Sequence, residues 1–435
     1  MACISIREYD HLLPAGAGIR HPRARTVSAA SFGALLRAIG RDPDKLGQAL
    51  RPSALLGRPS IQAQSFAGVI RTPDGTEIEV LPKVLYLSES EDKVESARAL
   101  LITMLRTVPE MDLIDPGPAG LRLRHLPLLE YFIFQLLRAV SHVVHRGIRH
   151  DYTALGNSEP FIRGRILFAE QIRRNLGRQQ LCHNEHDQFL PDCAENRLLK
   201  SALAVVLDLT RSSRNQQLGR ELAFCFDEVP CSRDIGADVQ ACRRDPSMSH
   251  YRRAVAWAEL ILEKLRPSPT VGRREVQSVL FAMEDLFECY VFAKLREQCW
   301  ALGSSIKVRR QLKGQFLARH QNRSMFLLKP DLSLDWNGKA VRILDTKWKL
   351  LNAVSGEVRS NKYGVSQSDI YQLFAYGRKY LRDESEKIVC LIYPRTSVFP
   401  SPLPHFEIEQ DLRLYVLPFD IERGELLGLD AIQIH

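Results

Sequence analysis

The stretch LKPDLSLDWNGKAVRILDTKWKL, Leu328–Leu350, holds an aspartate after a proline, then a turn-forming Asn337-Gly338, then Asp345-Thr346-Lys347. Hydrolysing a phosphodiester needs a Lewis acid on the phosphate, an activated water and neutralisation of developing negative charge. Two carboxylates hold Mg²⁺ well, because it is a hard cation that takes oxygen ligands and keeps several waters. A lysine beside them can orient or deprotonate the water and offset the extra charge. Asp331, Asp345 and Lys347 are the residue types for that chemistry, with Mn²⁺ as a substitute ion. A hairpin of solvated charges would use the same letters.

Spacing separates the two readings. VRILDTK has strand character, so Asp345 and Lys347, two apart, point to one face. The carbonyl of Thr346 between them is then free to become a further oxygen ligand. Asp331 depends on the turn. A two-residue turn at Asn337-Gly338 pairs Trp336 with Lys339 and sets Asp331 against Leu344, which leaves the two carboxylates on opposite faces. A three-residue loop, Asn337 to Lys339, pairs Trp336 with Ala340 and brings Asp331 opposite Asp345. A metal site therefore predicts an odd loop or a bulge in this hairpin.

Other segments supply neighbours. Gln372 and Tyr376 in DIYQLFAYGRKY are four apart and share a helix face that can lean over the site. Upstream, MEDLFECYV places Glu284 and Glu288 four apart, and Glu288 sits among Phe287, Tyr290 and Val291. A third carboxylate there makes sense if a divalent cation balances it, so Glu288 joins Asp331 and Asp345 as a candidate ligand. Alone, it reads as a partly solvated surface glutamate. The decoys RDPDK, TPDGTEIEVLPK and LPDCAENR lack a matching Asp/Glu-x-Lys at hairpin distance. The cluster CHNEHDQFLPDC, with Cys182, His183, His186 and Cys193, lacks the paired spacing of zinc fingers, and no zinc is expected.

The elements that would position these residues follow from periodicity. SFAGVIRTPDGTEIEVLPKV reads as a hairpin around Pro-Asp-Gly, with Ile78 and Val80 alternating against Glu77 and Glu79. SFGALLRAIG reads as a short amphipathic helix closed by its glycine. From about Glu91 to Leu265 the pattern is mainly helical. LPLLEYFIFQLLRAVSHVVHRG ends at Arg146-Gly147 as a helix C-terminus should. AENRLLKSALAVVLDLTR and YRRAVAWAELILEKL form two further helices, and before them lies the Arg-rich FIRGRILFAEQIRRNLGRQQ. RPSPTVG, Arg266–Gly272, reads as a linker. Beyond it the order helix, strands, helix, strands describes an α/β domain with a mixed sheet.

The 435 residues are 45% hydrophobic and 26% charged, enough for two or three domains with a sizeable core. No apolar run is long enough to span a bilayer, and Arg7, Glu8 and Asp10 interrupt the place of a signal peptide. Nine cysteines without regular spacing fit reduced thiols. A cytoplasmic protein is expected. The net charge of +9 points to a polyanionic partner, and residues 1–60 carry nine Lys and Arg against four Asp and Glu. That surplus also fits a solvated surface. Arg163–Arg178 could meet phosphates, a protein partner or solvent. No Walker-type phosphate loop or strand-linked Gly-x-Gly-x-x-Gly occurs, so any nucleotide hydrolysis falls to a partner.

These segments together resemble the McrC family, the nuclease subunits of McrBC-type, modification-dependent restriction systems. SIREYDHL, GVIRTPDGTEIEVLPKV, RGIRHDY, RGRILFAEQIRRN and ENRLLKSAL look like its N-terminal and middle segments. MEDLFECYV, KPDLSL, ILDTKWK and YGVSQSDIYQLFAYGRKY look like its nuclease domain. The resemblance implies an α+β multidomain chain: a mixed α/β partner-docking domain at 1–115, a mainly helical middle region at 116–268, and a restriction-endonuclease-like PD-(D/E)xK domain at 269–435. It implies Asp331, Asp345 and Lys347 as catalytic positions, with Gln372 and Tyr376 in the downstream helix motif. It also implies two partners, double-stranded DNA and a McrB-like AAA+ GTPase ring whose GTP hydrolysis the chain stimulates. Two rivals stay open: a non-cleaving GTPase activator, and a repair nuclease that needs no motor.

Overall fold

Pro73-Asp74-Gly75 reverses the chain because Asp74 satisfies the turn itself, its Oδ1 accepting from the Thr72 hydroxyl at 2.6 Å and the Thr76 amide at 3.2 Å. In the computed structural model, which describes residues 3–83, 93–108, 126–178, 180–244, 248–265, 276–302, 305–351 and 362–432, this turn joins β6 (Phe66–Arg71) to β7 (Glu77–Leu81). β1 (Cys3–Arg7) adds to β7 in parallel, and β11 (Gln277–Ala282) adds to β6 antiparallel, giving the order β1-β7-β6-β11. Gly68 is required there, since a Cβ on it would fall 2.0 Å from the Val279 carbonyl oxygen. Ile78 and Val80 face a core with Ile6, Phe32 and Leu35. Glu77 and Glu79, expected on the wet side of the alternation, are buried instead. Arg98 meets the Glu79 carboxylate at 2.7 Å and the Ser5 hydroxyl donates to it at 3.0 Å, so that face is covered and charge-paired.

A second sheet, in the order β3 (Ala24–Val27), β2 (His11–Pro14), β5 (Arg58–Ala63), β4 (Leu50–Leu55), packs into the same core. The expected short helix runs Ala29–Arg41. Ser28 caps it through the Ser31 amide, and it stops at Asp42 rather than at Gly40, which lies within it.

Contacts divide the chain into two compact units, residues 1–112 with 273–435, and residues 113–272. The first and last expected segments thus share one unit, with β11 as an edge of the N-terminal sheet. The second unit is built on helices Leu128–Arg146, Ala194–Leu209, Ser213–Cys225, Ile235–Arg244 and Arg252–Leu265. The expected glycine stop holds, as Gly147 takes a φ of 97° at the end of the first of them. An unexpected antiparallel sheet, β8 (Asp151–Glu159), β10 (Cys182–Leu190) and β9 (Arg165–Ile166), interrupts the helices. Its strands are mixed polar and apolar, so the period-2 signal was weak. His183 and His186 lie on β10, hydrogen-bonded to Ser158 at 2.9 Å and Gln188 at 2.8 Å. The linker Arg266–Gly272 lies outside the described residues.

After β11 the helix Met283–Ala301 leads into a seven-stranded mixed sheet, as the alternation of elements predicted. Its main path is β12 (Lys307–Arg310), β15 (Leu332–Trp336), β16 (Lys339–Thr346), β17 (Lys387–Pro394), β19 (Leu412–Asp420) and β18 (Phe406–Glu409), and β20 (Glu425–Leu426) pairs with β19. β16, β17 and β19 run parallel, and helix Gln367–Tyr380 connects β16 to β17. Every residue of β17 is buried, which is why KIVCLIYP reads as an unbroken apolar run. Ile343 on β16 packs with Leu373 and Tyr376 of the helix and Leu391 of β17. A separate ribbon, β13 (Gln315–His320) with β14 (Arg323–Leu328), precedes β15.

Candidate active site

The β15–β16 hairpin resolves the register question by the second of the two expected devices, a bulge. Its turn is the two-residue one: Trp336 pairs with Lys339, and Asn337 and Gly338 take φ of 50° and 84°, the left-handed pair a tight hairpin needs. The three-residue loop is therefore absent. A bulge takes its place, because Asp335 pairs with Ala340 while Leu334 pairs with Arg342, leaving Val341 as the extra residue. Leu332 then pairs with Leu344, and one step further along the same register sets Asp331 against Asp345. The bulge is itself secured. Asp335 is buried, accepts from the Ser333 hydroxyl at 2.5 Å and pairs with Arg309.

Asp331 lies just before β15 and is anchored on the far strand. Its Oδ2 accepts from the Thr346 amide at 2.7 Å and from the Thr346 hydroxyl at 2.8 Å. Asp345 is 1% exposed and has Lys347 Nζ 2.6 Å from Oδ2, while Oδ1 is buried with no hydrogen-bond donor among the described residues. A buried carboxylate oxygen without a donor is costly unless something positive meets it.

Electrostatics agree with that need. Burial pushes the Asp331 carboxyl up to about 6, the charge of Asp345 adds to the rise, and the Thr346 hydrogen bonds oppose it. Asp345 is also raised, by burial first, with Lys347 pulling down and Asp369 and Glu288 pushing up. Burial disfavours the Lys347 ammonium, but Asp345 and Asp331 outweigh it and hold its pKa above the ordinary lysine value. Lys347 is thus a fixed cation at neutral pH.

The helix Gln367–Tyr380 closes the arrangement. Lys347 Nζ donates to Gln372 Oε1 at 3.3 Å, Gln372 Nε2 donates to Tyr376 Oη at 2.7 Å, and Tyr376 donates to the Lys329 carbonyl at 3.2 Å. The amide of Gln372 is oriented at both ends, and the chain of bonds returns to the backbone two residues before Asp331.

Of the predicted residues, Asp331, Asp345, Lys347, Gln372 and Tyr376 converge. Glu288 is close enough for the Asp331 charge to raise it further, burial being the larger cause, but its Oε1 is taken by Arg310 at 2.7 Å and Gln311 at 3.1 Å. No cluster of three or more His, Cys, Asp or Glu side chains poised for a metal exists among the described residues. The donor set is two carboxylates, which suits an ion that keeps most of its water.

Three contributions escaped the sequence reading, which named Thr346 for its carbonyl alone. Thr346 holds Asp331 by side chain as well as backbone. Asp369, one turn before Gln372, is buried with Lys349 Nζ at 3.3 Å and the Tyr393 hydroxyl at 3.4 Å. Its spacing of three and seven from Gln372 and Tyr376 was the available signal. Glu8 is the third. It accepts from the Trp348 indole at 2.9 Å and the Lys83 amide at 2.8 Å, and lies 3.9 Å from Lys83 Nζ. No spacing could have joined residues 340 apart.

Fold and site together define an α+β protein whose mixed sheet carries an Asp-Asp-Lys centre at one hairpin, with Asp345 buried and Asp331 and Lys347 half-buried. A family model described as McrBC 5-methylcytosine restriction system component matches residues 61–394, and the chain belongs to that family, as its McrC-like motifs implied. Among solved structures, a half-complex from a tetradecameric assembly of Thermococcus gammatolerans McrB AAA+ hexamers with bound McrC is similar over 99% of this chain and 100% of the matched chain, at 18% identity and a TM-score of 0.68. A Thermococcus gammatolerans McrBC complex matches 67% of this chain and 86% of the other, at 20% identity and a TM-score of 0.50. No curated protein matches. No helix of the described residues is long and apolar enough to cross a membrane.

Proposed function

We propose that this chain is the metal-dependent DNA endonuclease subunit of a McrBC-like restriction complex, with a PD-(D/E)xK centre at Asp331, Asp345 and Lys347. The observation that carries the reading is the bulge, which spends a buried residue to bring two aspartates into register where solvated charges would need no such device.

Asp331 and Asp345 would hold Mg²⁺, or Mn²⁺ in its place; the donorless oxygen of Asp345 and the mutual repulsion of the pair fit a cation there. When bound, such an ion supplies Lewis acidity to the scissile phosphate and its attacking water. Lys347, held protonated by its carboxylates, serves better to orient the water and balance charge than to take its proton. Gln372 and Tyr376 fix the ammonium in place. Glu288, occupied by Arg310, balances that cation beside the site.

The chain would work with double-stranded DNA and an AAA+ GTPase ring whose hydrolysis it stimulates, in the cytoplasm. The Thermococcus assembly, with McrC bound to McrB hexamers, supports the partner by analogy. The test is cleavage of modified DNA with Mg²⁺ by wild type and Asp345→Asn, each with and without the ring and GTP. Cutting that needs ring and GTP and vanishes in the variant is expected. A variant that cuts like wild type overturns the site. GTP turnover stimulated without any cutting would make the chain an activator, and cutting without ring or GTP would make it a motor-independent nuclease.

A further inference from the structure

Residues 301–330 contain seven Lys and Arg and no Asp or Glu. Within them stands the β13–β14 ribbon, where Phe316 pairs with Leu327, Ala318 with Met325 and His320 with Arg323, around a tight turn at Gln321 and Asn322 with φ of 46° and 61°. From Leu317 to Leu327 every residue is exposed, so neither face of the ribbon is covered. A two-stranded ribbon with two wet faces has little to hold it by itself. Here the base supplies the anchorage. Leu328 packs on the site's own core, and the Tyr380 hydroxyl donates to its carbonyl at 2.7 Å.

The composition of the exposed part is unusual for solvent. Leu317, Met325, Phe326 and Leu327 are each more than 40% exposed, and Phe326 takes a φ of 60°, a conformation bulky residues rarely adopt. Arg319 and Arg323 crown the tip, and Lys313 and Lys329 flank the base. None of these four meets a carboxylate in an ion pair among the described residues. Strands of six residues reach about 20 Å, and a ribbon of that form fits the major groove of a duplex. Leu328 and Asp331 are three residues apart, so at most about 11 Å of chain separates the ribbon's base from the cutting centre.

The geometry points to this ribbon as the duplex-gripping element of the site: it lies in a groove of the DNA, with Arg319 and Arg323 on phosphates and its apolar side chains against the groove wall. This rests on the nuclease reading and extends it to an element of substrate binding. The charge decides for DNA over a protein surface. An apolar ribbon meant for a protein partner would not need the acid-free flanks on both sides. Ribbon and centre share helix Gln367–Tyr380 as a mount, Tyr380 holding one and Tyr376 the other, so gripping the duplex positions its backbone against Asp331.

The test is fluorescence anisotropy of the full chain with a labelled duplex of about three helical turns, in Ca²⁺ over a salt series. Arg319→Ala with Arg323→Ala is expected to weaken binding tenfold or more at moderate salt and to reduce the salt slope by about 2, near 0.9 per lost phosphate contact. Phe326→Ala is expected to weaken binding several-fold with the slope kept. Unchanged melting checks that the exposed substitutions leave the fold intact. A double variant that binds duplex as wild type does, or that instead loses the GTPase ring while keeping DNA, overturns the proposal. Asp345→Asn separates it from the nuclease reading, since that variant is expected to lose cleavage whatever the ribbon does. If it still cuts, the site assignment falls while anisotropy continues to judge the ribbon.

Discussion

Asp345 is a buried acid and Asp331 a half-buried one of like charge, with Lys347 beside them, and the balance has consequences for pH. Folding raises both carboxyls above their unfolded values, Asp331 to about 6. The stability Asp331 contributes is therefore full below its unfolded pKa and is lost as pH rises through about 6, and that of Asp345 is lost in the same direction as pH rises through its raised pKa. A shift of that size is worth on the order of 1–3 kcal/mol. Metal-free Asp331→Asn is expected to be more stable than wild type above that pH and equal to it well below, by thermal melts across the range. Adding Mg²⁺ should raise the melting temperature of wild type and leave the variant nearly unmoved; equal shifts in both would remove the pair as the ligand set. Lys347→Met, which strands Asp345 without its cation, is expected to reduce cleavage by a factor of about 10² or more. Measured single-turnover rates decide that.

At the scale of elements, the hairpin is the part that makes the residues into a site. Gly338, at a φ of 84°, allows the tight turn, and the bulge at Val341 corrects the register the turn would otherwise impose. Gly338→Ala is expected to cost about 1 kcal/mol, read as a lower urea midpoint, because an added Cβ meets no atom but strains the backbone. Inserting one residue between Asp331 and Leu332 is a sharper test. It leaves the turn and the bulge as they are, moves Asp331 one step along the strand and off the face of Asp345, and should abolish cleavage even in protein that still folds. Retained activity would show that the register of the two aspartates is incidental. Both outcomes follow from the period of two along a strand, which makes one residue decide a face.

Across the whole first unit, residues far apart in sequence meet at the edge of the site. Glu8 at the N-terminal end accepts from Trp348, which directly follows Lys347, and Lys83 Nζ donates to the Trp348 carbonyl at 3.1 Å. The Lys83 ammonium also lies 4.8 Å from the Tyr9 ring centre. Burial raises the Glu8 carboxyl more than Lys83 lowers it, so the clasp is held under electrostatic load. Glu8→Ala leaves the Trp348 indole N–H and the Lys83 amide without their acceptor and is expected to cost about 1–3 kcal/mol, with Glu8→Gln costing less. Urea unfolding of the two variants measures it. Equal losses would mean that packing, not the hydrogen bonds, holds Trp348.

Some of this was legible from the letters. Asp345-x-Lys347 on a strand, Gln372 and Tyr376 on one helical face, the Pro-Asp-Gly turn and the buried run of β17 all follow from local periodicity and turn chemistry. Such signals act over a few residues. The side of the sheet on which Asp331 lies was not local, since it hung on a bulge set by Asp335, Ser333 and Arg309. The pairing of Glu288 with Arg310, the burial of Glu77 and Glu79, and the clasp from Glu8 to Trp348 were equally out of reach. Each depends on which surfaces the finished fold covers. The sequence by itself determined the chemistry available and the strands and helices to carry it. Tertiary structure alone decided which charges share a dry space, because desolvation and charge pairing exist only once distant segments close over them.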